Sequence, residues 1–347
     1  MLQLAKKLKD KSWEATALNN IGEIFREQGK YSEALKRYEE ALQIGEQLGK
    51  MSGKANRLNN IGRIYHEQGN YPEALKRFEK ALQIAEQLGD LSRKAASLSN
   101  IGLIYDAQGN YQEALKRYEE ALQIAEQLGD LSGKATRLNN IATIHYALGN
   151  YPDALMRFEE ALQIAEQLGD LSIRAGSLNN IGMIYDAQGN YPEALKRYEE
   201  ARQIDEQLGD LSGKANRLNN IGRIYHKQGN YPEALKQYEE ALQIAEQLGD
   251  LSGKATRFNN IGAVYNAQGN YLEALKCFEE SLDIFGQLKE LPNIAGTFWW
   301  IGTIYLMLND TSKALKNLES ALEIYEQLGL KNRIQQVREA ISKLKSN

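Results

Sequence analysis

The sequence contains a single cysteine, Cys277, and has only five prolines and three histidines among its 347 residues. One cysteine excludes an internal disulfide framework and is typical of proteins in a reducing compartment. Residues 1–15 lack the unbroken apolar stretch of a signal peptide, and no later segment approaches the roughly 18 apolar residues that a membrane span requires. These absences predict a cytoplasmic protein that does not cross a membrane.

Neither sign of charge dominates the sequence. There are 42 Lys and Arg against 46 Asp and Glu, a formal net charge of −4. Because these charges are interspersed, no strong field attracts nucleic acid or an anionic membrane, and neither is predicted as a partner. The chain is longer than proteins that fold around a single hydrophobic core usually are. It is therefore expected to form several domains or a repeat array.

What the sequence does contain is a repeat of 40 residues. The phrase LNNIGRIYHEQGNYPEALKRFEKALQIAEQLGD, at 58–90, recurs along the chain without insertion. Self-similarity at a fixed period of this length is the signature of a repeat architecture. The predicted copies are 11–50, 51–90, 91–130, 131–170, 171–210, 211–250, 251–290 and 291–330.

Each copy predicts a helical hairpin. In the second copy the apolar residues from Leu58 to Tyr65 follow the spacing of one helix face, and a second such series runs from Ala74 to Leu88. Between them, the Gly69-Asn70 pair is typical of a helix end followed by an N-cap. One hairpin cannot bury these faces alone, so we expect successive hairpins to stack.

The small residues of a copy predict how closely its two helices approach. Gly62 is expected to face Ala74 and Ala81, which would bring the paired helices close together. Phe78 is expected, with the neighbouring tyrosines, to fill the space between successive hairpins. A bulky residue at Gly62 would then overpack the contact.

The pattern N-I-G-x-I-Y-x-x-Q-G-N-Y-x-E-A-L-x-x-Y/F-x-x-A-L resembles the tetratricopeptide repeat across essentially the whole chain. The 40-residue period is similar to the long form found in kinesin light chains and in scaffold proteins with Leu-Gly-Asn repeats. The resemblance implies an all-α fold, a right-handed superhelical α-solenoid of tandem helix-turn-helix repeats. It also implies that the first helices line a concave groove that holds a peptide or a partner segment.

The two ends of the array differ from its middle. Residues 1–10 match the end of a copy, and we interpret them as the remnant of a preceding repeat's second helix. This predicts that the array was cut from something longer or has degenerated at this end. Residues 331–347 carry spaced apolar residues such as Ile334 and Val337 and are predicted to form a C-terminal capping helix, which terminal repeats need for solubility.

If first helices line a groove, the residues on their non-packing face are the candidates for contact with a peptide. In the second copy these include Asn56, Arg63 and His66, and the sixth copy reproduces them. The predicted groove residues are Asn19, Asn20, Asn56, Asn59, Asn60, Arg63, His66, Asn100, Asn139, Asn140, Tyr146, Asn179, Asn180, Asn216, Asn219, Asn220, Arg223, His226, Asn259 and Asn260.

The recurring asparagine pair is the most suggestive of these features, because asparagine is a poor residue within a helix. Three interpretations stay open. Each amide, with two donors and an acceptor, is able to pair with the backbone of an extended peptide. Alternatively, one asparagine of each copy bonds a neighbouring helix, or duplication copied the pair without selection. Of each pair, residues of the Asn59 type are expected to face the groove.

The basic residues of the first helices have two interpretations. Arg63 and Arg223 either form bidentate hydrogen bonds with a carboxylate or phosphate of a partner, or they are simply solvated. A lysine recurs near the start of most first helices and is interpreted as a solubility feature. These lysines are Lys54, Lys94, Lys134, Lys214 and Lys254.

No residue pattern predicts catalysis, a metal or a cofactor. His145 stands at a packing position, and His66 and His226 have no second ligand at helical metal-site spacing. Cys277 has no nearby histidine in the sequence to activate it. We therefore predict a scaffold that binds a protein or peptide and is not an enzyme. The alternative is the sensor or regulatory part of a larger protein whose effector lies outside this chain; the oligomeric state stays open.

Overall fold

The computed structural model describes residues 2–49 and 51–346. Three residues at the bounds of predicted segments lie outside the described residues: Met1 of the segment 1–10, Lys50 of the copy 11–50 and Asn347 of the segment 331–347. Within that part of the chain all regular structure is helical and no strand occurs, which confirms the predicted all-α class. The helices are α1 (Leu2–Lys7), α2 (Lys11–Glu27), α3 (Tyr31–Gln47), α4 (Met51–Glu67), α5 (Tyr71–Gln87), α6 (Leu91–Ala107), α7 (Tyr111–Leu128), α8 (Leu131–Ala147), α9 (Tyr151–Leu168), α10 (Leu171–Ala187), α11 (Tyr191–Leu208), α12 (Leu211–Lys227), α13 (Tyr231–Leu248), α14 (Leu251–Ala267), α15 (Tyr271–Leu288), α16 (Leu291–Met307), α17 (Thr311–Gln327) and α18 (Lys331–Ser346).

The helices pack as tandem hairpins. Apart from α10, each even-numbered helix from α2 to α16 packs most extensively on the odd-numbered helix that follows it, and within each unit the second helices α3, α5, α7, α11, α13 and α15 pack on the first helix of the next hairpin. At the two ends, α1 packs on α2, and α18 packs on α17. The contacts group into two compact units, Met1–Asn180 and Ile181–Asn347, whose boundary falls inside α10.

The core of the first unit is built from one aromatic residue per second helix. Phe78 of α5 is fully buried and packs on Ile101 and Ile104 of the next first helix, as predicted. It also fills the space in front of Gly62 in its own hairpin, where an added Cβ would lie 2.6 Å from Cε1 of the ring. The atoms nearest to that Cβ thus belong to the Phe78 ring, and not to Ala74 or Ala81, which were predicted to lie opposite Gly62.

The second unit repeats this arrangement. Tyr198 of α11 is fully buried and packs on Ile221 and Ile224 of α12. A Cβ at Gly182 would lie 2.8 Å from the Tyr198 ring. One side chain thus joins the two helices of a hairpin to the next hairpin, which is why the aromatic and the glycine recur together.

The predicted helix punctuation is confirmed at the α4–α5 turn. Gly69 has φ +73°, a left-handed conformation that glycine adopts at little cost. Asn70 then caps α5, its side-chain oxygen accepting a hydrogen bond from the Glu73 backbone N–H at 3.4 Å. At the next turn, Asp90 accepts from the Arg93 backbone N–H at 3.0 Å. These caps set where each helix begins and hence which residues face outward.

We expect Gly62→Val to lower the free energy of unfolding by about 1–3 kcal/mol, because the new side chain overlaps the buried Phe78 ring. Gly176→Ala is the matched control, since nothing lies within 4 Å of a Cβ at that helical glycine. It should stabilise the protein by roughly 0.5–1 kcal/mol through helix propensity. Urea unfolding of both variants checks this, and an equal loss in both would argue against the close contact.

Candidate partner-binding face of the first helices

The predicted groove residues are partly or fully exposed on the first helices. On α4, Asn56 is exposed, whereas Asn59, Asn60, Arg63 and His66 are half-buried. We call these positions, and those at multiples of 40 residues from them, the first-helix face. Side-chain hydrogen bonds between residues 38 to 41 positions apart join successive first helices within each unit. First helices of successive hairpins therefore lie side by side.

The first asparagine of a pair bonds the next first helix. In the first unit Asn59 Nδ2 donates to Ser97 Oγ at 3.2 Å, and Ser177 Oγ donates to Asn139 Oδ1 at 3.1 Å. In the second unit Asn259 Nδ2 donates to the hydroxyl of Thr297 at 3.1 Å. The three hydroxyl residues are fully buried, so these bonds satisfy polar groups that water does not reach.

The second asparagine of a pair bonds the preceding first helix. Asn60 Nδ2 donates to Asn19 Oδ1 at 3.0 Å in the first unit, and Asn260 Nδ2 donates to Asn219 Oδ1 at 2.6 Å in the second. The helix-to-helix bond that was one of three open interpretations is therefore present at these positions. Since an amide has two N–H donors, one bond leaves the other donor of the same side chain available.

The remaining asparagines differ among themselves. Asn179 Nδ2 donates to Asn180 Oδ1 of its own helix at 3.2 Å. Asn20 is exposed. Asn100 and Asn140 are half-buried and make no side-chain hydrogen bond within the described residues. The regular recurrence of the asparagine pair therefore does not give all of its members the same role.

A set of buried or half-buried arginines lies beside the asparagines, and sequence reasoning missed it. At the position of Ser97, other copies carry Arg57, Arg137, Arg217 and Arg257. Each of these four arginines follows a glycine by four residues, whereas the copies with Ser or Thr have a larger residue there. The four glycines are Gly53, Gly133, Gly213 and Gly253, against Arg93, Ile173 and Asn293.

The structure explains this covariation between helix positions. An added Cβ at Gly53 would collide with Nη1 of Arg57, so the guanidinium folds back over the glycine one turn earlier. Arg137 does the same, donating from Nη1 to the Gly133 carbonyl at 3.1 Å. The signal was readable in the sequence as a glycine and an arginine at i, i+4.

Three of the four arginines have partners within the chain. Arg137 also donates from Nε to Ser99 Oγ at 3.1 Å, and Arg257 donates to Asn216 Oδ1 at 3.2 Å. Arg217 forms an ion pair with Asp205 of α11, with Nε and Oδ2 3.2 Å apart. The Asp205 side chain is only 3% exposed, and burial raises its pKa against the opposing effect of Arg217.

Arg57 is the exception. It is 9% exposed and makes no hydrogen bond or ion pair within the described residues, and burial lowers its pKa. It lines a pocket of about 270 Å³ between α2, α3 and α4. Gly45 of α3, which holds the place that Asp205 has in the second unit, lines the same pocket.

Charged residues of the first-helix face are also paired in one unit and unpaired in the other. In the second unit Asp186, 6% exposed, forms ion pairs with Arg223 at 3.0 Å and with Lys227 at 2.8 Å. In the first unit Asp106 holds the corresponding place, but the residues that would meet it are Thr143 and Ala147.

Asp106 and Arg63 consequently keep uncompensated charges. The half-buried Asp106 carboxylate makes no side-chain hydrogen bond or ion pair within the described residues, and burial raises its pKa. Arg63 corresponds to Arg223, but its neighbour on the preceding helix is Arg26, which pairs with Glu67 at 2.9 Å. Among the described residues Arg63 has no carboxylate partner.

The aromatic positions of the face pack on the start of the second helix. His66 lies with its ring centroid 6.0 Å from that of Tyr71, and His226 lies 6.0 Å from Tyr231. Burial lowers the pKa of His226, which favours the neutral ring. In the same position of the fourth copy, Tyr146 packs on the tyrosine that begins α9 at 5.7 Å.

The lysine ladder, which was interpreted as a solubility feature, forms a regular set of ion pairs. Each lysine reaches the glutamate near the end of the preceding second helix, at N–O distances of 2.7 to 3.2 Å. Because all partners are partly exposed, each pair contributes only about 0–1 kcal/mol. The pairs are Lys54–Glu46, Lys94–Glu86, Lys134–Glu126, Lys214–Glu206 and Lys254–Glu246.

The other chemistry-bearing residues do not gather into a site. Burial raises the pKa of the Cys277 thiol to about 11, so the reactive thiolate is disfavoured at neutral pH. In the described part of the chain, no group of three or more His, Cys, Asp or Glu is placed to hold a metal ion. None of the helices described has the length and apolar character needed to cross a membrane.

Comparisons with known proteins agree with the repeat pattern. A family model described as "Tetratricopeptide repeat" matches residues 2–47, 53–127, 93–167, 133–207, 173–247 and 253–327. No curated protein sequence matches significantly. The fit to the family model confirms the resemblance that the motif predicted.

Solved structures with the same fold have low sequence identity. BtubC (BKLC) from P. vanneervenii is 22% identical with a TM-score of 0.57, over 63% of this chain and 92% of that one. A STAND-type signal transduction ATPase with a tetratricopeptide repeat sensor, from Pyrococcus horikoshii, is 18% identical with a TM-score of 0.67, over 94% of this chain and 50% of that one. A Rap protein complexed with competence and sporulation factor is 15% identical with a TM-score of 0.58, over 96% and 98%. At these identities the likeness concerns the fold alone.

Proposed function

We propose that this chain, which belongs to the tetratricopeptide repeat family, is a non-catalytic scaffold that binds a peptide or an extended segment of a partner protein on its first-helix face. The observation that carries the proposal is the contrast between the two units. Arg63 and Asp106 of the first unit keep unpaired charges, whereas Arg223 and Asp186, at the corresponding positions, are paired within the chain.

An unpaired, half-buried charge costs free energy that a partner's opposite charge recovers. Arg63 offers five N–H donors in a planar fork that matches a carboxylate, and Asp106 offers an acceptor for a cation. Complementary charges at fixed separation set the register of a bound segment and discriminate against wrong partners. The proposed ligand therefore carries an acidic group that meets Arg63 and a basic group that meets Asp106.

The asparagines contribute to this face in a second way under the proposal. Those that bond a neighbouring helix, such as Asn59 with Ser97, have a fixed orientation and retain one N–H donor. A donor that is already oriented loses little entropy when it binds a peptide carbonyl. The helix-to-helix bonds and peptide contact are thus compatible roles for the same side chains.

Two of the similar structures support the proposal by analogy of fold. The Rap protein is complexed with competence and sporulation factor, and the STAND-type ATPase uses its tetratricopeptide repeats as a sensor. The single, half-buried Cys277 is compatible with the reducing cytoplasm as the site of action.

The proposal predicts a difference between matched variants. Peptides are selected from a displayed random library on the full chain, and their affinity is measured by fluorescence anisotropy. We expect Arg63→Ala and Asp106→Asn each to weaken binding by about tenfold or more. Arg223→Ala is the matched control and should change binding by less than about twofold, because Arg223 already pairs with Asp186.

A further control separates the asparagine roles. Ser97→Ala removes the neighbour's hydroxyl and leaves Asn59 in place, whereas Asn59→Ala removes both the helix-to-helix bond and any peptide contact. Under the proposal Asn59→Ala weakens peptide binding more than Ser97→Ala, which removes only the fixed orientation of the amide, with the helical circular dichroism unchanged in both. Failure to select any peptide, or an equal loss in Arg63→Ala and Arg223→Ala, would sink the proposal.

A second candidate function is favoured by one observation. The match to the STAND-type ATPase covers 94% of this chain but only 50% of that protein, as a sensor attached to an effector would give. We propose as the alternative that the same binding face belongs to the sensor part of a larger protein with an effector domain. Reading the open reading frame that encodes the chain tests it, because an uninterrupted gene without any effector domain contradicts it.

A further inference from the structure

The second unit contains a carboxylate site that the chain fills itself. Asp205 of α11 reaches Arg217 of α12 across the junction between two hairpins, with Nε and Oδ2 3.2 Å apart. Both side chains are largely buried, at 3% and 14% exposure. A guanidinium at this position of the repeat therefore accommodates a carboxylate in the adjoining space.

The first unit has the same guanidinium without the carboxylate. Arg57 stands where Arg217 does, and Gly45 stands where Asp205 does. An added Cβ at Gly45 would lie 3.4 Å from Nη1 of Arg57, so a side chain there points at the guanidinium. The space left by the missing carboxylate is the pocket of about 270 Å³ that Arg57 and Gly45 line.

The remaining polar lining is neutral. Besides Arg57, the polar residues around the pocket are Ser12, Thr16, Asn19, Ser52 and Asn56, and none of the described residues that line it is acidic. Arg57 Nε is buried without a hydrogen-bond partner, as is Arg217 Nε, but Arg217 has the Asp205 carboxylate within ion-pair distance, whereas among the described residues Arg57 has no carboxylate there. A buried guanidinium with no counter-charge is costly, whereas one paired with a carboxylate makes charge-assisted hydrogen bonds. The pocket thus combines an unmet cation with neutral hydrogen-bonding groups.

We propose that the pocket at Arg57 is a carboxylate-binding site, and that an acidic side chain of the bound partner occupies it as Asp205 occupies the corresponding space beside Arg217. The source of the carboxylate rests on the proposed function, but the site itself does not. Asn19 and Asn56 belong both to the pocket lining and to the first-helix face, so a segment held on that face passes the mouth of the pocket.

The site is tested with acetate as the probe on the full chain. The Arg57 Nε–H resonance is followed by NMR during titration with sodium acetate, with sodium chloride at equal ionic strength as control. It is assigned with the variant Gly53→Ile/Arg57→Ser, which copies the Ile173/Ser177 pair of the fifth repeat. We expect a saturable shift with acetate and none with chloride.

Two variants make this test specific. Gly45→Asp places a carboxylate in the pocket and should abolish the acetate response of Arg57. Asp205→Gly opens the corresponding space in the second unit and should create a new saturable response at Arg217. An Arg57 resonance that does not respond to acetate, or that responds equally in Gly45→Asp, overturns the site.

The origin of the carboxylate is tested with the library-selected peptides. We expect the peptides to contain an acidic residue, acetate to compete with them, and Gly45→Asp to weaken their binding by about tenfold or more. Acetate binding with undiminished peptide binding in Gly45→Asp overturns the acidic side chain as occupant and leaves the proposed function standing. If no variant binds any peptide, the proposed function fails, and the acetate titration still decides the site.

Discussion

Arg217→Ala is expected to lower the free energy of unfolding by about 3 kcal/mol at neutral pH, because it leaves Asp205 buried without its counter-charge. Removal of one member of a buried ion pair usually costs more than the pair contributes, since the remaining charge keeps its desolvation penalty. Urea unfolding of the full chain, followed by circular dichroism, measures the loss.

The cost should depend on pH in a defined direction. Burial raises the pKa of Asp205 in the folded protein, so the folded state disfavours the charged carboxylate and loses stability as the pH rises through that pKa. Removal of Arg217, whose charge lowers the pKa of Asp205, raises that pKa further. The difference between Arg217→Ala and the parent should therefore shrink on acidification, as Asp205 becomes neutral in both, and a difference that grows toward low pH would contradict the ion pair.

A double variant provides the matched control. Asp205→Ala combined with Arg217→Ser copies the pair that Ala85 and Ser97 form at the same junction in the first unit. Because no charge is then buried, we expect most of the stability lost in Arg217→Ala to return. If the double variant is as unstable as Arg217→Ala, the loss comes from packing and not from the buried charge.

The fold could be predicted from the sequence because its determinants are local. The glycine–asparagine turn at Gly69 and Asn70 and the 3.6-residue periodicity of each helix need only a short window, and the 40-residue period then supplies the stacking. The direction of Phe78 could not be read in this way. Periodicity assigns the side chain to a buried face, but that face meets both Gly62 and Ile101, and only the hairpin geometry decides between them.

The sequence predicted which repeat positions form the first-helix face, but not which charged residues of that face are paired within the chain. The register of the repeat placed Arg63 and Arg223 on the same face. Which of them is neutralised depends on a residue 37 positions earlier, Asp186 in one case and Arg26 in the other, and this needs the stacked structure. The Arg57 pocket was missed for a related reason, since its defining feature is an acid that is absent from the neighbouring helix.

Comparison of the repeats with one another reveals some of the residue pairs that cannot be recognised in the sequence of one copy. Within one chain the copies serve as an internal set of variants, in which Asp205 or Gly45 meets the same arginine position. A residue whose partner is present in one copy and missing in another is a candidate for contact with a ligand. Periodic residues that find the same partner wherever they occur, such as the five lysines that each pair with a glutamate of the preceding second helix, are structural.

Phe78→Ala is expected to cost about 3–5 kcal/mol, because the ring is fully buried and fills both its own hairpin and the junction with the next one. In a stacked array each repeat contacts only its neighbours, so the loss should be local. Hydrogen exchange should accelerate in α4, α5 and α6 and remain close to the parent in α14, α15 and α16.

Phe78→Tyr is the control for that prediction, because tyrosine fills the same position as Tyr38 and Tyr118 in neighbouring copies of the first unit. It conserves the volume of the ring and should cost about 1 kcal/mol or less. A large loss in both variants would mean that the position is sensitive to any change and not to the cavity. Uniform acceleration of exchange along the whole chain would instead mean that the hairpins unfold as one cooperative body, so that each of them depends on contacts well beyond its two neighbours.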